Sequence, residues 1–332
     1  MNVTKEQILY NDIIMKKNII LYKNKFINNT DYEDIIEEII EEIIEEPVIV
    51  MDTLSSCYSH ALLDSCFPIF WMIQDLIRDK LIDTSNVRIM IRDKHILLYP
   101  RQNLPLINKS LEDYNGVYSD IIHILTKQPI IFTHCNSKKY LIKTLFIYTE
   151  NDNWQRSPWN CSNNYSSGRN IPLCSVRFND TIIYDMLNKF RDTVLNKYLL
   201  TEKKTNNLII VDRKYNRLIS SDLMDSLLKE VHKNTKWNFL GVKILEDMSF
   251  EQQVSLFLTS RIVIFRHGSV LVNLLWSQSK SLVFELIGGK GGVNHKNVTS
   301  RITKLTNSYL FSIDHDSCNV TDDIIEKINI TL

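Results

Sequence analysis

The chain has 332 residues, in which 39 Lys+Arg balance 39 Asp+Glu, 44% of residues are hydrophobic and 23% are charged. At roughly 100–200 residues per domain this is enough for two cores, and the composition excludes a disordered chain. A net charge of zero argues against a dedicated nucleic-acid binder, which needs a basic excess to displace counterions.

Residues 1–29 are modestly basic and weakly patterned, and read as an N-terminal extension. Thr30-Asp31-Tyr32-Glu33 has the form of a capping box and opens the run IIEEIIEEIIEE, which Pro47 stops. Paired Ile and paired Glu every four residues predict an acidic amphipathic helix, either packed with its charged face in water or docking a partner. Val48–Met51 is the first strong strand. A helix from about His60 to Lys80 follows, then strands at 87–91, 96–99, 130–133 and 145–149 with a helix near 117–127 among them. Residues 150–178 are rich in Asn, Ser, Trp and Cys and read as a long loop, a kind of segment that often carries function. A helix at 181–199 leads out of it.

From residue 207 the alternation becomes regular. Strands at 208–212, 239–245, 261–266, 281–286 and 308–313 each precede a helix, at 220–233, 249–258, 269–277, 296–304 and 321–330. Repeated βα units imply a parallel sheet flanked by helices. The expected organisation is an extension over 1–47, α/β domains over 48–200 and 201–320, and a C-terminal helix over 321–332, the two domains meeting across a cleft. Ligands of such sheets bind beyond the carboxyl ends of the strands.

Three of those strand ends carry suggestive residues. Arg213 and Arg217 follow the strand ending at Asp212, and guanidinium groups suit bidentate contacts with diphosphate oxygens, although two loop arginines are also ordinary solvated surface. The strand Arg261–Phe265 runs into Arg266-His267-Gly268-Ser269, where an apolar helix begins. Gly268 permits close backbone approach, Ser269 falls at the N-cap, and free N–H groups there favour an anion; the same residues also fit a plain βα turn with His267 bonded to a buried carbonyl. Glu285 ends the strand Ser281–Phe284 and could accept ribose hydroxyls. Right after it, Gly288-Gly289-Lys290-Gly291-Gly292 holds four of the chain's eight glycines, a loop that either makes room for a ligand or is mobile surface. Together these ends describe a site for a phosphate-bearing nucleotide. No GxGxxG or Walker-A loop is present, so dinucleotide enzymes and P-loop NTPases fit poorly.

The ordered set Arg213-x-x-x-Arg217, Met248-Ser249-Phe250-Glu251-Gln252-Gln253, His267-Gly268-Ser269-Val270-Leu271-Val272-Asn273 and Val283-Phe284-Glu285 resembles glycosyltransferase family 61. That family includes β-1,2-xylosyltransferases and O-GlcNAc transferases acting on EGF repeats and on O-mannose. Ser269 stands where the family usually has Ala. Ser59-His60-Ala61-Leu62-Leu63-Asp64 is similar to the family's His-x-x-x-Asp segment, and Phe190-Arg191-Asp192 to the helix before its donor sheet. The resemblance implies a GT-B architecture of two facing Rossmann-like domains, a UDP-sugar donor on the C-terminal one and a glycan or glycoprotein hydroxyl acceptor on the other. It also implies inverting transfer without a metal, Arg213, Arg217 and the Gly268 helix start stabilising the leaving group. Arg266, His267, Ser269, Asn273, Glu285, Gly288, Gly289 and Lys290 complete the expected donor site. His60 and Asp64, spaced i, i+4, share a helix face and make a carboxylate-oriented imidazole that could act as general base, or a packing pair with no catalytic part. The alternative function is a non-catalytic nucleotide-sugar-binding or scaffold protein.

Asp314-His315-Asp316 matches the DxD pattern that holds a divalent cation in another glycosyltransferase fold. It comes late, after the last strand, and three-residue matches arise by chance, so no metal and no cofactor beyond the co-substrate is expected. Six scattered cysteines (Cys57, Cys66, Cys135, Cys161, Cys174, Cys318) form no CxxC pair, which argues against a disulfide framework or zinc site and for a reducing compartment. Met1–Lys25 has no signal-peptide pattern and no window reaches the ~18 apolar residues of a membrane span. The expectation is a soluble, cytoplasmic protein, with a homodimer allowed and nucleic acid excluded. Ala61 is the only alanine, a skew that suits an AT-rich microbial or viral coding genome.

Overall fold

The computed structural model describes residues 13–16, 19–27, 42–51, 58–83, 87–91, 117–132, 140–148, 180–214, 218–233, 236–288 and 296–331. The chain divides into two compact units, 1–183 and 184–332. Among the described residues no helix is long and apolar enough to cross a membrane.

The first unit is built on a mixed sheet. Its strands are β1 (Ile13–Lys16), β2 (Ile19–Ile27), β3 (Glu42–Ile44), β4 (Val48–Met51), β5 (Arg88–Ile91), β6 (Ile131–Phe132) and β7 (Tyr140–Tyr148). The order is β1-β2-β7-β4-β5-β6, with β3 also beside β7. β2 runs antiparallel to β7 from Ile19 opposite Tyr148 to Ile27 opposite Tyr140, while β4, β5 and β6 are mutually parallel. The N-terminal extension is therefore part of this sheet.

The acidic run ends differently from its helical expectation. Glu42–Ile44 is a strand parallel to β7, in register Glu42–Tyr140 to Ile44–Ile142. Ile44 is fully buried with Val48, Val50, Met90, Ile131, Ile142 and Leu145, whereas Ile43 is 53% exposed. That in–out alternation has a period of two, and pairing along an open edge of β7 overrides the helical pattern of the sequence. The rest of the run, the strand expected at 96–99 and the loop at 150–178 lie outside the described residues.

A helix follows β4 in three parts: α1 (Tyr58–His60), a π-helical segment Ala61–Cys66 and α2 (Phe67–Arg78). Pro68 explains the wide turn. In an α-helix its ring would crowd the carbonyl of residue 64 and leave that carbonyl without its donor, and a π segment just before the proline relieves both. α2 is buried almost all round, through Phe67, Ile69, Phe70, Met72 and Leu76. Burial pushes the Cys66 thiol well above its usual range, so it is inert filling. The helix α3 (Val117–Leu125) completes the unit's described elements.

The helix α4 (Asp180–Lys197) begins just before the second unit and runs into it. Phe190 packs on Trp276 (6.1 Å between rings), and Arg191 donates to the Leu275 and Ser277 carbonyls (2.9 and 3.1 Å). These contacts hold α4 to the segment around Trp276. The strands β8 (Asn207–Asp212), β9 (Asn238–Ile244), β10 (Ile262–Arg266), β11 (Leu282–Ile287) and β12 (Tyr309–Asp314) alternate with α5 (Ser221–Lys233), α6 (Phe250–Leu258), a 3-10 helix Ser269–Trp276, α7 (Lys296–Leu305) and α8 (Val320–Thr331). All pairs are parallel and the order is β12-β11-β10-β8-β9. Leu208, Ile210, Ile262, Ile264, Leu282 and Phe284 bury one face of the sheet against Leu227 and Val231 of α5 and Ile324 and Ile328 of α8. This is a Rossmann-like α/β arrangement, and the winding reverses between β8 and β10, the first and third strands of the unit. The carboxyl end of that junction is the switch point where open parallel sheets bind ligands.

Candidate functional site

The switch point is occupied by one cation and one glycine. A Cβ built on Gly268, just past β10, would meet Arg213 Nη1 at 2.9 Å and Cζ at 3.4 Å. The guanidinium from the end of β8 thus lies on the bare backbone at the end of β10. The sequence suggests that Gly268 makes room for a ligand; in the structure its missing side chain first makes room for Arg213.

His267 sits beside this contact, buried at 7% exposure, its backbone N–H donating to the Leu286 carbonyl (2.9 Å). Its Nδ1 meets Glu285 Oε1 at 2.5 Å, and the Thr299 hydroxyl donates to the same oxygen at 2.9 Å. A carboxylate can only accept, so Nδ1 carries a proton and the protonation of Nε2 sets the ring's charge. Glu285 was expected at a strand end facing ribose. Instead β11 continues to Ile287, and Glu285 is fully buried inside it, its Oε2 without a hydrogen-bond partner among the described residues. Its carboxyl group is the hydrogen-bond partner behind His267.

Other expected donor ligands hold the scaffold. Asn273 is fully buried, and its amide donates to Gln253 Oε1 (3.2 Å). Gln253 in turn donates to the carbonyls of Leu245 and Met248 (3.0 and 3.2 Å), tying α6 to the 3-10 helix. Gly268, not Ser269, is the N-cap residue, and no side chain caps this helix. Arg266 donates to the Leu218 carbonyl. Ser249 and Gln252 form a reciprocal capping box on α6, Ser249 Oγ accepting at 3.2 Å and Gln252 Oε1 at 2.9 Å.

Gly288 has a left-handed backbone (φ +97°), and a Cβ there would come within 2.5 Å of Asp314 Oδ1. That position requires glycine on both counts. Asp314 Oδ1 also accepts from the Asp316 N–H (3.1 Å). Among the described residues no cluster of three His, Cys, Asp or Glu is placed to hold a metal. Arg217, Gly289 and Lys290 lie outside the described residues. His60 closes α1 and Asp64 lies in the π segment, in the first unit, where wide turns often accompany functional sites. Sequence reasoning gave no role to Thr299 or Asp212 and placed Gln253 and His315 only in motifs; the structure bonds them to Glu285, Ile219, Asn273 and Ser220 respectively.

A model of the glycosyltransferase 61 family matches residues 58–284, more than half of the chain. The protein belongs to glycosyltransferase family 61. The match begins at the helix carrying His60 and ends one residue before Glu285. No curated protein matches the chain at a significant level. A family 61 glycosyltransferase takes a sugar donor and an acceptor. The motif that carries the resemblance divides into two groups in this member. Ser249 and Gln252 cap α6, and Gln253, Asn273 and Arg191 bond their helices to neighbouring segments, while Arg213, His267 and Gly268 lie at the carboxyl ends of β8 and β10.

Proposed function

We propose that this glycosyltransferase transfers a sugar from a UDP-sugar to a hydroxyl of a glycan or glycoprotein, with inversion, in a GT-B arrangement whose donor half is residues 184–332. The observation that carries the reading is the Arg213 guanidinium seated on Gly268 at the switch point, next to the Glu285-backed His267. A diphosphate leaving group gains negative charge as the bond to the anomeric carbon breaks, and preorganised cations at that place stabilise it. Arg213 supplies a permanent charge. His267, with Glu285 behind it, can hold a second one when Nε2 is protonated. In the transfer itself the acceptor oxygen bonds to the anomeric carbon, its proton passes to the His60/Asp64 pair as general base, and UDP departs with the bonding electrons. With Arg213, Arg217 and His267 meeting the diphosphate, no metal is needed, and turnover in excess chelator is the expected result.

Calorimetric titration of UDP tests the donor site. Arg213→Ala is expected to weaken UDP binding about 10- to 100-fold, the range of a charge-assisted pair. Gly268→Ala should weaken it by about tenfold with little loss of stability, because the intruding methyl displaces only the flexible end of Arg213. Unchanged UDP affinity in both variants would place the diphosphate elsewhere.

A further inference from the structure

Two threonines one turn apart on α7, Thr299 and Thr303, are buried and use their hydroxyls differently. Thr303 bonds back into its own helix, donating to the Thr299 carbonyl (3.0 Å), a common habit of helical threonine. Thr299 reaches out of the helix and donates to Glu285 Oε1 on β11 (2.9 Å). A hydroxyl has a single proton, so this bond takes the whole donor capacity of Thr299. Thr299 is fully buried, and valine would fill nearly the same space, so packing alone gives no reason for a hydroxyl here.

What the hydroxyl settles is the orientation of the Glu285 carboxyl. Oε1 receives two donors, Thr299 and Nδ1 of His267 (2.5 Å), while Oε2, also buried, has no hydrogen-bond partner among the described residues. Leaving one buried oxygen bare costs more than sharing the two donors between both oxygens. The arrangement therefore favours one carboxyl orientation over the largest number of satisfied atoms. The His267 backbone is held separately, its N–H on the Leu286 carbonyl (2.9 Å). Glu285 adds the turn of the ring, because a hydrogen bond to Nδ1 lies close to the imidazole plane. With Nδ1 committed, any contact of the ring with the sugar donor uses Nε2.

We propose that Thr299 is a positioning residue for the sugar donor: from α7 it fixes the Glu285 carboxyl, and through it the His267 ring, at the carboxyl end of β10. This role rests on the donor site proposed above. Thr299→Ser keeps the hydroxyl, and Thr299→Val removes it while keeping the shape. UDP titration is one readout. The other is the proton resonance of His267 Nδ1–H, which a short bond to a carboxyl moves far downfield and which His267→Asn identifies by its loss. T299S should hold the resonance in place and bind UDP within about threefold of wild type. T299V should lose or displace the resonance and bind UDP about tenfold more weakly, the scale of one hydrogen bond. Thr299→Ala also removes the hydroxyl and carries the same expectation should the valine variant not fold. If variants with and without the hydroxyl bind UDP alike, or the resonance moves while UDP affinity stays as in wild type, the role given to Thr299 is overturned. If wild type itself binds no UDP, the donor reading falls and the role falls with it, so the wild-type titration tells the two failures apart.

Discussion

The two units solve the same problem, an α/β core, by opposite routes. Among the described residues of 184–332 every strand is parallel and the strands alternate with helices or a 3-10 turn. In residues 1–183 the sheet is mixed, and its longest pairing joins β2 and β7, more than a hundred residues apart in sequence. Its helix α2 is apolar nearly all round. A sheet wound in sequence order brings its strand ends together, so a binding site comes with the topology. Among the described strands of the first unit only β4, β5 and β6 are wound this way, beside strands recruited from distant parts of the chain. The π segment Ala61–Cys66 of this unit contains Asp64 and follows His60 directly.

The proposed function sets turnover in one unit and donor binding in the other, and mutants can break that division. The largest effect is expected in the first unit. His60→Ala or Asp64→Ala should lower kcat by about 10³-fold, the usual scale of a lost general base, and leave UDP affinity as in wild type. Loss of UDP binding, or kcat kept intact, would remove the base from that helix. Next comes Phe250→Ala in the second unit. Phe250 is fully buried, edge-on to Trp276 (5.8 Å) and Tyr198 (6.1 Å), so about 3 kcal/mol of stability should vanish in denaturant unfolding. UDP affinity at saturating protein stability should follow the fraction folded and nothing more.

The smallest effect concerns pH. Burial by itself raises the Glu202 carboxyl, but two hydrogen bonds from Ser279 (2.8 and 2.6 Å) and the Arg191 guanidinium outweigh it and hold the group below its ordinary value. A carboxyl depressed on folding stabilises above its unfolded pKa, and that contribution is lost as pH falls through the folded value. Glu202→Gln should therefore cost about 0.5 kcal/mol near neutrality, a figure reduced for solvent screening, and nothing in strong acid. Melting curves against pH for the two proteins should converge on acidification; parallel curves would deny the ion pair any part.

How much of this is legible in the sequence follows from the same contrast. Each strand and helix from residue 180 onward can be read from period and punctuation, because β8 to α8 are local units whose neighbours in sequence are neighbours in space. Glu42–Ile44 cannot, since its strand form depends on β7, nearly a hundred residues further on. β1 and β2 are lost for the same reason. At the site, Arg213, His267 and Gly268 stand out by position at strand ends. Glu285 stands out too, but with the wrong neighbour assigned. The Ser220–His315 bond spans 95 positions and the Asn273–Gln253 bond 20. No local pattern announces either, and only the polarity of residues at strand ends and in apolar runs hints that a partner exists.

The 3-10 helix Ser269–Trp276 has a mechanical consequence. At about 2.0 Å per residue its eight residues reach about 16 Å, whereas the same eight in an α-helix would reach about 12 Å. One end is set where Gly268 meets Arg213, the other where Arg191 takes the Leu275 and Ser277 carbonyls. The segment is a strut of fixed length between two arginines. Rewinding it to α would draw one end in by about 4 Å, and deleting one residue by about 2 Å, enough to uncouple the switch point from α4.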